Sequence, residues 1–171
     1  RRFKRFCCAT PAGDGQAPLR NAVMKLSEHF TLEELTKSQV ARRHRIDNIP
    51  SLGEVENLKK LCLHILEPVR KYYNKPISPS SGFRCVLLNR QIGSSDTSQH
   101  ITGQAVDFEV PGVSNKDTAL WIKNELDFDE LILEFHKEGE PHSGWVHCSY
   151  VGQSNRKKSR KYDGRTWSNL P

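Results

Sequence analysis

A histidine seven residues before an aspartate, with a glycine between them, is the feature that most constrains this chain. His100 is followed by Gly103, where the backbone can turn sharply, and then by a strand-like run that contains Asp107. Because side chains alternate across a strand, Asp107 lies on the face opposite Val106 and Phe108, which point into the core. The imidazole and the carboxylate can therefore meet at one point, and such a ligand pair suits zinc.

A tetrahedral catalytic zinc needs a third protein ligand and an open position for water. His147 is the best candidate, because it lies in a second strand-like run, where it shares a face with Trp145. The sequence thus predicts a metal group made of His100, Asp107 and His147.

Three motifs, in this order, resemble a known family. They are Ser81-Gly82-Phe83-Arg84, then Ser98-x-His100-x-x-Gly103-x-Ala105-x-Asp107, then Trp145-Val146-His147. Together they resemble the zinc D-Ala-D-Ala carboxypeptidases, and most of all the phage-encoded branch that includes L-alanyl-D-glutamate endolysins. The resemblance runs from about residue 24 to residue 150. It implies the α+β fold of hedgehog and DD-peptidase domains, a small, mainly antiparallel sheet with flanking helices that carries one Zn²⁺.

Peptide hydrolysis also needs a general base, which takes a proton from water and passes it to the leaving amine. Many members of the resembled family have an acidic residue shortly before the last histidine, but the third residue before it here is Gly144. We therefore predict Glu134 as the base, because it stands in an otherwise apolar strand where a carboxylate without a partner is costly. A carboxylate at a strand edge with no catalytic role is the alternative. Glu140 and His142 are the other candidates for the base.

Four further residues are predicted around the metal. The planar guanidinium of Arg84 suits a substrate carboxylate or a developing oxyanion, although a surface ion pair would also explain it. Ser98 is expected to support the site by hydrogen bonding, and Ser81 is assigned to the same supporting set. Trp145 either walls the substrate cleft or packs in the core.

Charge divides the chain into three parts. Residues 1–23 carry five Arg and Lys against one Asp, and residues 153–171 carry six against one Asp, so the net charge of +6 leaves −3 for residues 24–152. We expect a disordered N-terminal extension over 1–23, a zinc peptidase domain over 24–152 and a mobile basic tail over 153–171. The basic run at 41–45 is interpreted as a solvated face.

Hydrophobic periodicity and capping signals predict the secondary structure. Thr31 and Glu34 form a capping box for a short first helix, and Ser114 caps a later one. A long helix is expected over about 53–73, with a kink at Pro68. Strands are expected over 76–82, 106–110, 128–135 and 145–150, the last two joined as a hairpin.

Composition argues against several classes of protein. Apolar residues make up 36% of the chain and the mean hydropathy is −0.66, which is typical of a soluble protein. No apolar run approaches the ~20 residues that a membrane span needs. Five cysteines without regular spacing favour synthesis in a reducing compartment over a disulfide framework. The first residues lack the apolar segment of a secretory signal. We therefore expect a monomer, made in the cytoplasm, that acts at the cell wall after release or on a virion.

The motifs predict a zinc metallopeptidase that hydrolyses peptidoglycan stem peptides of the D-Ala-D-Ala or L-Ala-D-Glu type. The resemblance adds a role in phage lysis or on a virion.

Two alternatives stay open. A non-catalytic zinc module, as in hedgehog signalling domains, would have its candidate base far from the metal. A virion structural or wall-binding protein would attach to anionic polymers through its basic tails. No specific nucleic-acid partner is expected.

Overall fold

A five-stranded sheet organises the chain in the computed structural model, which describes residues 23–171. In space the strands run β1-β3-β2-β4-β5, and all neighbours are antiparallel except β2 and β4, which are parallel. This mainly antiparallel sheet with helices confirms the predicted α+β class. The strands are β1 (Ala105–Phe108), β2 (Glu130–Glu134), β3 (Trp145–Ser149), β4 (Lys158–Tyr162) and β5 (Trp167–Asn169).

The central strands have one apolar and one polar face, as a period of two predicts. In the register of the strands, Asp107 lies opposite His147, and Glu134 lies opposite Trp145. Polar side chains from three neighbouring strands therefore share one face. The other face is buried and includes Val106, Phe108, Leu131, Leu133 and Val146.

Helices lie beside the sheet, and some of them pack against its apolar face. Among the described residues they are α1 (Leu32–Thr36), α2 (Gln39–His44), α3 (Leu52–Leu61), α4 (Glu67–Tyr73), α5 (Val86–Gln91) and α6 (Asn115–Glu125). Leu58 of α3 and Ile122 of α6 are fully buried in the same core as the sheet. Burying a side chain of this size contributes about 1.5–3 kcal/mol. Within residues 23–171, no helix has both the length and the apolar character needed to cross a membrane.

The predicted caps are confirmed. Thr31 and Glu34 form a reciprocal capping box at the start of α1. The Ser114 hydroxyl accepts a hydrogen bond from the Asp117 N–H at the start of α6. Both helices begin where the sequence signals place them, because each cap satisfies N–H groups that have no partner within the helix.

The predicted long helix is interrupted just before Pro68. A π-helical turn, Cys62–Leu66, separates α3 from α4. Pro68 has no N–H to donate to the carbonyl four residues earlier. The preceding residue, Glu67, already donates its N–H five residues back, to Cys62. The interruption expected at Pro68 thus takes the form of a wider helical turn that leads into it.

Residues 153–171 differ from the mobile tail that we expected. They contribute β4 and β5 to the sheet, and Leu170 is buried in the core. Their basic side chains find acidic partners beside β2: Arg156 lies 2.5 Å from Asp129, and Arg160 pairs with Glu130. A run of like charges is expected to be solvated only where no opposite charges face it. Here acidic side chains face the run and pair with it. Residues 1–22 of the predicted N-terminal extension lie outside the described residues.

Candidate metal centre

The three predicted ligands lie together on the polar face of the sheet. Asp107 on β1 pairs with His147 on β3, so the two side chains emerge side by side. His100 comes from the turn before β1, where Gly103 adopts a φ of +70°. A side chain could not replace this glycine, because a Cβ there would lie 2.7 Å from the Glu54 carbonyl oxygen. One potential ligand atom of each of the three residues lies within 4.8 Å of the other two.

The spacing of these atoms fits a tetrahedral cation. Oδ1 of Asp107 lies 2.8 Å from Nδ1 of His147 and 3.3 Å from Nε2 of His100. The two imidazole nitrogens are themselves 3.3 Å apart. Nitrogen and oxygen ligands held at ~2.0–2.1 Å from a tetrahedral zinc would be about 3.3 Å from one another. The donor set, two imidazoles and a carboxylate, also suits that metal.

The hydrogen bond of His100 identifies which ring nitrogen is free to coordinate. Nδ1 lies 2.6 Å from the Gly82 carbonyl oxygen. Because a carbonyl oxygen only accepts, Nδ1 carries the hydrogen, and in the neutral imidazole Nε2 keeps its lone pair. That lone pair faces Oδ1 of Asp107, which is also an acceptor, and a cation between the two would relieve their repulsion. Outer hydrogen bonds of this kind commonly orient metal-binding histidines.

The buried charges keep the carboxylate ionised. Burial alone raises the pKa of Asp107, but the interactions of this carboxylate with His100 and His147 outweigh burial and hold that pKa well below its usual range. Burial lowers the pKa of His100, and Asp107 offsets only part of this effect. Burial also lowers the pKa of His147, but Asp107 outweighs it and the net direction is upward. An ionised carboxylate beside a neutral His100 is the state that metal binding needs.

Arg84 lies against the metal-ligand group. Its Nη2 donates to Oδ2 of Asp107 at 3.1 Å, and both side chains are only 13% exposed. Asn48 fixes the backbone on either side: its amide donates to the Phe83 carbonyl, and its side-chain oxygen accepts from the Cys85 N–H. Burial lowers the pKa of Arg84, whereas Asp107 and Glu134 raise it. These contacts fix the position of the guanidinium. Its Nε has no hydrogen-bond partner within residues 23–171.

Glu134 stands on the same face, one strand away. It is opposite Trp145 in the register, so it is a diagonal neighbour of His147, at about 7–8 Å between Cα atoms. Burial raises the pKa of this half-buried carboxylate. The charge of His147 lowers that pKa, Asp107 raises it, and Arg84 lowers it. A carboxylate with a raised pKa thus lies beside the predicted metal group, as a general base would.

The sequence also matches a family of known proteins. The model of the peptidase M15 family matches residues 28–149. The chain belongs to the peptidase M15 family. This membership supports a metallopeptidase acting on peptidoglycan-type peptides, and His100, Asp107 and His147 are a group that could hold its metal ion. A comparison with curated proteins gave no match. The family match covers β1 to β3 and ends before β4.

In this M15 peptidase, the backbone excludes any side chain at Gly144. The residue has a φ of +70°, and a Cβ there would lie 1.8 Å from the Glu134 carbonyl oxygen and 2.7 Å from the Phe135 carbonyl carbon. Phe135, at the end of β2, also has a positive φ, of 54°. The hairpin therefore closes too tightly for an acidic residue three positions before His147. A base in this M15 peptidase has to come from another position.

Gly144→Ala is expected to destabilise the protein by about 2–4 kcal/mol, because strain at positive φ adds to a clash with backbone atoms. Urea unfolding of the metal-free protein measures the loss. Gly139→Ala is the matched control in the same hairpin: its φ is +85°, but a Cβ would meet nothing within 4 Å. Only the conformational penalty of about 1 kcal/mol is expected there. Equal losses in both variants would contradict the steric explanation.

The three predicted supporting residues all border the site. Ser81 exchanges backbone hydrogen bonds with Asp107, at 2.8 Å from the Asp107 N–H to the Ser81 carbonyl. The strand expected over 76–82 forms only this single bridge, because the prolines there have no N–H to donate. The Ser98 hydroxyl accepts a 3.4 Å hydrogen bond from the His100 N–H. The Trp145 ring lies 5.0 Å from that of Phe135, and its buried Nε1 has no partner within residues 23–171.

The two other candidates for the base lie on the exposed hairpin turn. The Glu140 carboxylate is 3.7 Å from the Lys137 ammonium. His142 hydrogen-bonds the Val113 carbonyl at 3.2 Å through Nδ1. These contacts hold both side chains at the turn, and neither contact involves a predicted metal ligand.

Sequence reasoning missed two supports of the site. Gly82 was quoted only as part of a motif, yet its carbonyl orients His100, and a Cβ would lie 2.3 Å from the Leu35 carbonyl oxygen. Asn48, which fixes the backbone around Arg84, gave no signal at all. A polar residue in a loop between helices looks the same in sequence whether or not it binds two backbone groups.

Proposed function

We propose that this M15 peptidase is zinc-dependent and hydrolyses the stem peptides of peptidoglycan, at a bond of the D-Ala-D-Ala or L-Ala-D-Glu type. The proposal rests on one observation above all. Three donors spaced for a tetrahedral cation share a face with a carboxylate whose pKa is raised by burial. Action as a D,D-carboxypeptidase or endopeptidase, in phage lysis or on a virion, is the finer part of the proposal.

Each residue has a distinct role in the proposed reaction. His100, Asp107 and His147 would hold the zinc, which supplies, when bound, an electrophile for the scissile carbonyl and a lower pKa for water. Glu134 takes a proton from the attacking water and delivers it to the leaving amine. A raised pKa suits this double role, because the group must both accept and release a proton near neutral pH.

Arg84 is proposed to meet negative charge on the substrate. Its guanidinium already touches Oδ2 of Asp107, the oxygen on the side away from the histidines. The remaining donors can stabilise a developing oxyanion or bind a substrate carboxylate. Trp145, next to Glu134 in the register, is proposed to wall the cleft.

The alternatives have less support. A non-catalytic zinc module predicts a candidate base far from the metal, but Glu134 is a diagonal neighbour of His147. A wall-binding protein would need two basic tails that are free to bind anionic polymers. In residues 153–171, however, several of the charges are paired with acidic side chains and the backbone forms two strands.

The experiment that tests the proposal is release of muropeptides from purified peptidoglycan, with and without a chelator. We expect zinc-dependent release of fragments, and mass spectrometry of their new termini identifies the scissile bond. Chelation abolishes the release, and added zinc restores it. Zinc bound stoichiometrically, with no cleavage of any wall type, would sink the proposal and favour the non-catalytic module.

A further inference from the structure

A cavity of about 500 Å³ lies beside the metal centre, between α2, α5 and the backbone around Ser81. Leu88 and Ile92 form apolar parts of its wall. Lys37, Arg42 and Arg84 bring three positive charges to it, and no acidic side chain lines it among the described residues. The catalytic roles proposed above use Arg84 only, and leave the rest of this cavity unexplained.

The cavity and the metal centre share a wall. Arg84 lines the cavity and also donates to Asp107 at 3.1 Å. Ser81, a second lining residue, exchanges backbone hydrogen bonds with Asp107. A peptide that reacts at the metal centre can therefore extend past Arg84 into the cavity.

Two of the three cations, Lys37 and Arg42, have no acidic partner among the described residues, whereas Arg84 pairs with Asp107. Among the described residues, the hydrogen-bond partner of Lys37 is a neutral group, the Ser78 hydroxyl, at 2.9 Å. Arg42 has no acidic partner within residues 23–171, where the ion pairs involve other cations. The buried Nε of Arg84 has no hydrogen-bond partner in the same residues. Positive charge collected in one concave place, with no acidic side chain in its described lining, is the arrangement that attracts an anion.

We infer that this cavity is a subsite for a carboxylate of an acidic peptide substrate, bound through Lys37 and Arg42. The inference rests on the proposed peptidase function, whose substrate class it narrows. Arg42 offers a planar fork that matches a carboxylate, and Lys37 adds a mobile point charge. The carboxylate can belong to an acidic side chain of the peptide or to its C-terminus, and both sources present the same group.

The test compares four synthetic Ala-D-Glu peptides, in which the Glu carboxylate and the C-terminal carboxylate are each left free or amidated. Arg42→Gln, Lys37→Gln and the double variant are expected to raise KM for the matching free-carboxylate peptide by about 10-fold or more, with kcat unchanged. The amidated counterpart should show no change, and the pair that responds identifies the source of the carboxylate. Arg43→Gln, also exposed on α2 but outside the cavity lining, is the control and should behave as wild type.

A binding measurement separates the failure of this inference from the failure of the proposed function. Calorimetric titration of the metal-free full chain with the same peptides needs no turnover. Weaker binding of the free-carboxylate peptide by Arg42→Gln supports the subsite even if no peptide is cleaved. Unchanged binding and unchanged KM, or equal effects on free and amidated peptides, overturn the subsite even if the protein proves to be a peptidase.

Discussion

Glu134→Gln is expected to lower kcat by about 10²–10⁴-fold while zinc binding stays as in the wild type. The substitution keeps the shape of the side chain but removes its ability to accept a proton from water. Because Glu134 lies one strand away from His147 and is not among the predicted ligands, the metal group should be unaffected. Cleavage kinetics, together with a zinc titration of the same samples, measure both effects.

Glu140→Gln is the matched control for this variant. Glu140 is exposed on the hairpin turn and was the alternative base. We expect its activity to equal that of the wild type. Retained activity in Glu134→Gln combined with lost activity in Glu140→Gln would reverse the assignment of the base.

Glu134→Gln should also be more stable than the wild type when both proteins are metal-free. Because burial raises the pKa of Glu134 in the folded state, the ionised carboxylate opposes folding at pH values above that pKa. Glutamine removes this cost, and a gain within the usual range for a stabilising substitution, about 0.5–2 kcal/mol, is expected at pH 7. The gain should shrink as the pH falls and the wild-type carboxyl becomes protonated. A loss of activity together with a gain in stability in Glu134→Gln would indicate that Glu134 serves catalysis and not folding.

Asp107→Asn is expected to lose metal affinity by more than the ~10–100-fold that changes outside the ligand shell cost. The amide removes the negative charge that faces both histidines and leaves the buried Arg84 guanidinium without its carboxylate. In the wild type, free zinc at 100 times its Kd should stabilise the fold by about 2.7 kcal/mol. Thermal unfolding with increasing zinc should show this rise for the wild type and almost none for the variant.

The control and the pH dependence separate metal binding from general destabilisation. Asp96→Asn removes an exposed carboxylate that pairs with Arg90 at 2.9 Å, and should change the stability little and leave zinc binding intact. The pKa of Asp107 is depressed in the folded protein, so its contribution is present above the unfolded-state pKa and is lost as the pH falls. Metal-free Asp107→Asn should therefore unfold with a weaker acid dependence than the wild type. Identical zinc-induced stabilisation in Asp107→Asn and wild type would remove Asp107 from the ligand set.

Local signals predicted the metal group because two of its residues, Asp107 and His147, lie on neighbouring strands with a strict alternation of faces, and His100 lies in the turn just before the first of these strands. Once Asp107 and His147 are placed on the polar side of two strands, pairing of those strands brings them together. Glu134 follows from the same alternation on the next strand. The caps at Thr31 and Ser114 depend on residues three positions away, and these too could be read from the sequence.

The contacts that sequence reasoning missed join distant segments. The acidic partners of Arg156 and Arg160 lie 27 and 30 residues earlier in the chain. The basic run at 41–45 was interpreted as a solvated face, and residues 42–45 are exposed, but the sequence did not indicate that Arg42 also lines the cavity next to Arg84. Whether a cation faces water, a carboxylate or a cleft depends on the tertiary packing, which local periodicity does not report.

The parallel pairing of β4 with β2 matters for anyone who intends to recombine this domain. The matched family region ends at residue 149, before β4, but β4 saturates the hydrogen-bonding edge of the strand that carries Glu134. Cutting there would leave β2, with its apolar run Leu131–Leu133, as an open edge that a second chain could join. Such a truncated module would be prone to aggregate in a fusion protein. A linker to another domain belongs after Leu170, where β4 already covers the edge of β2 and the short, exposed β5 forms the outer edge of the sheet.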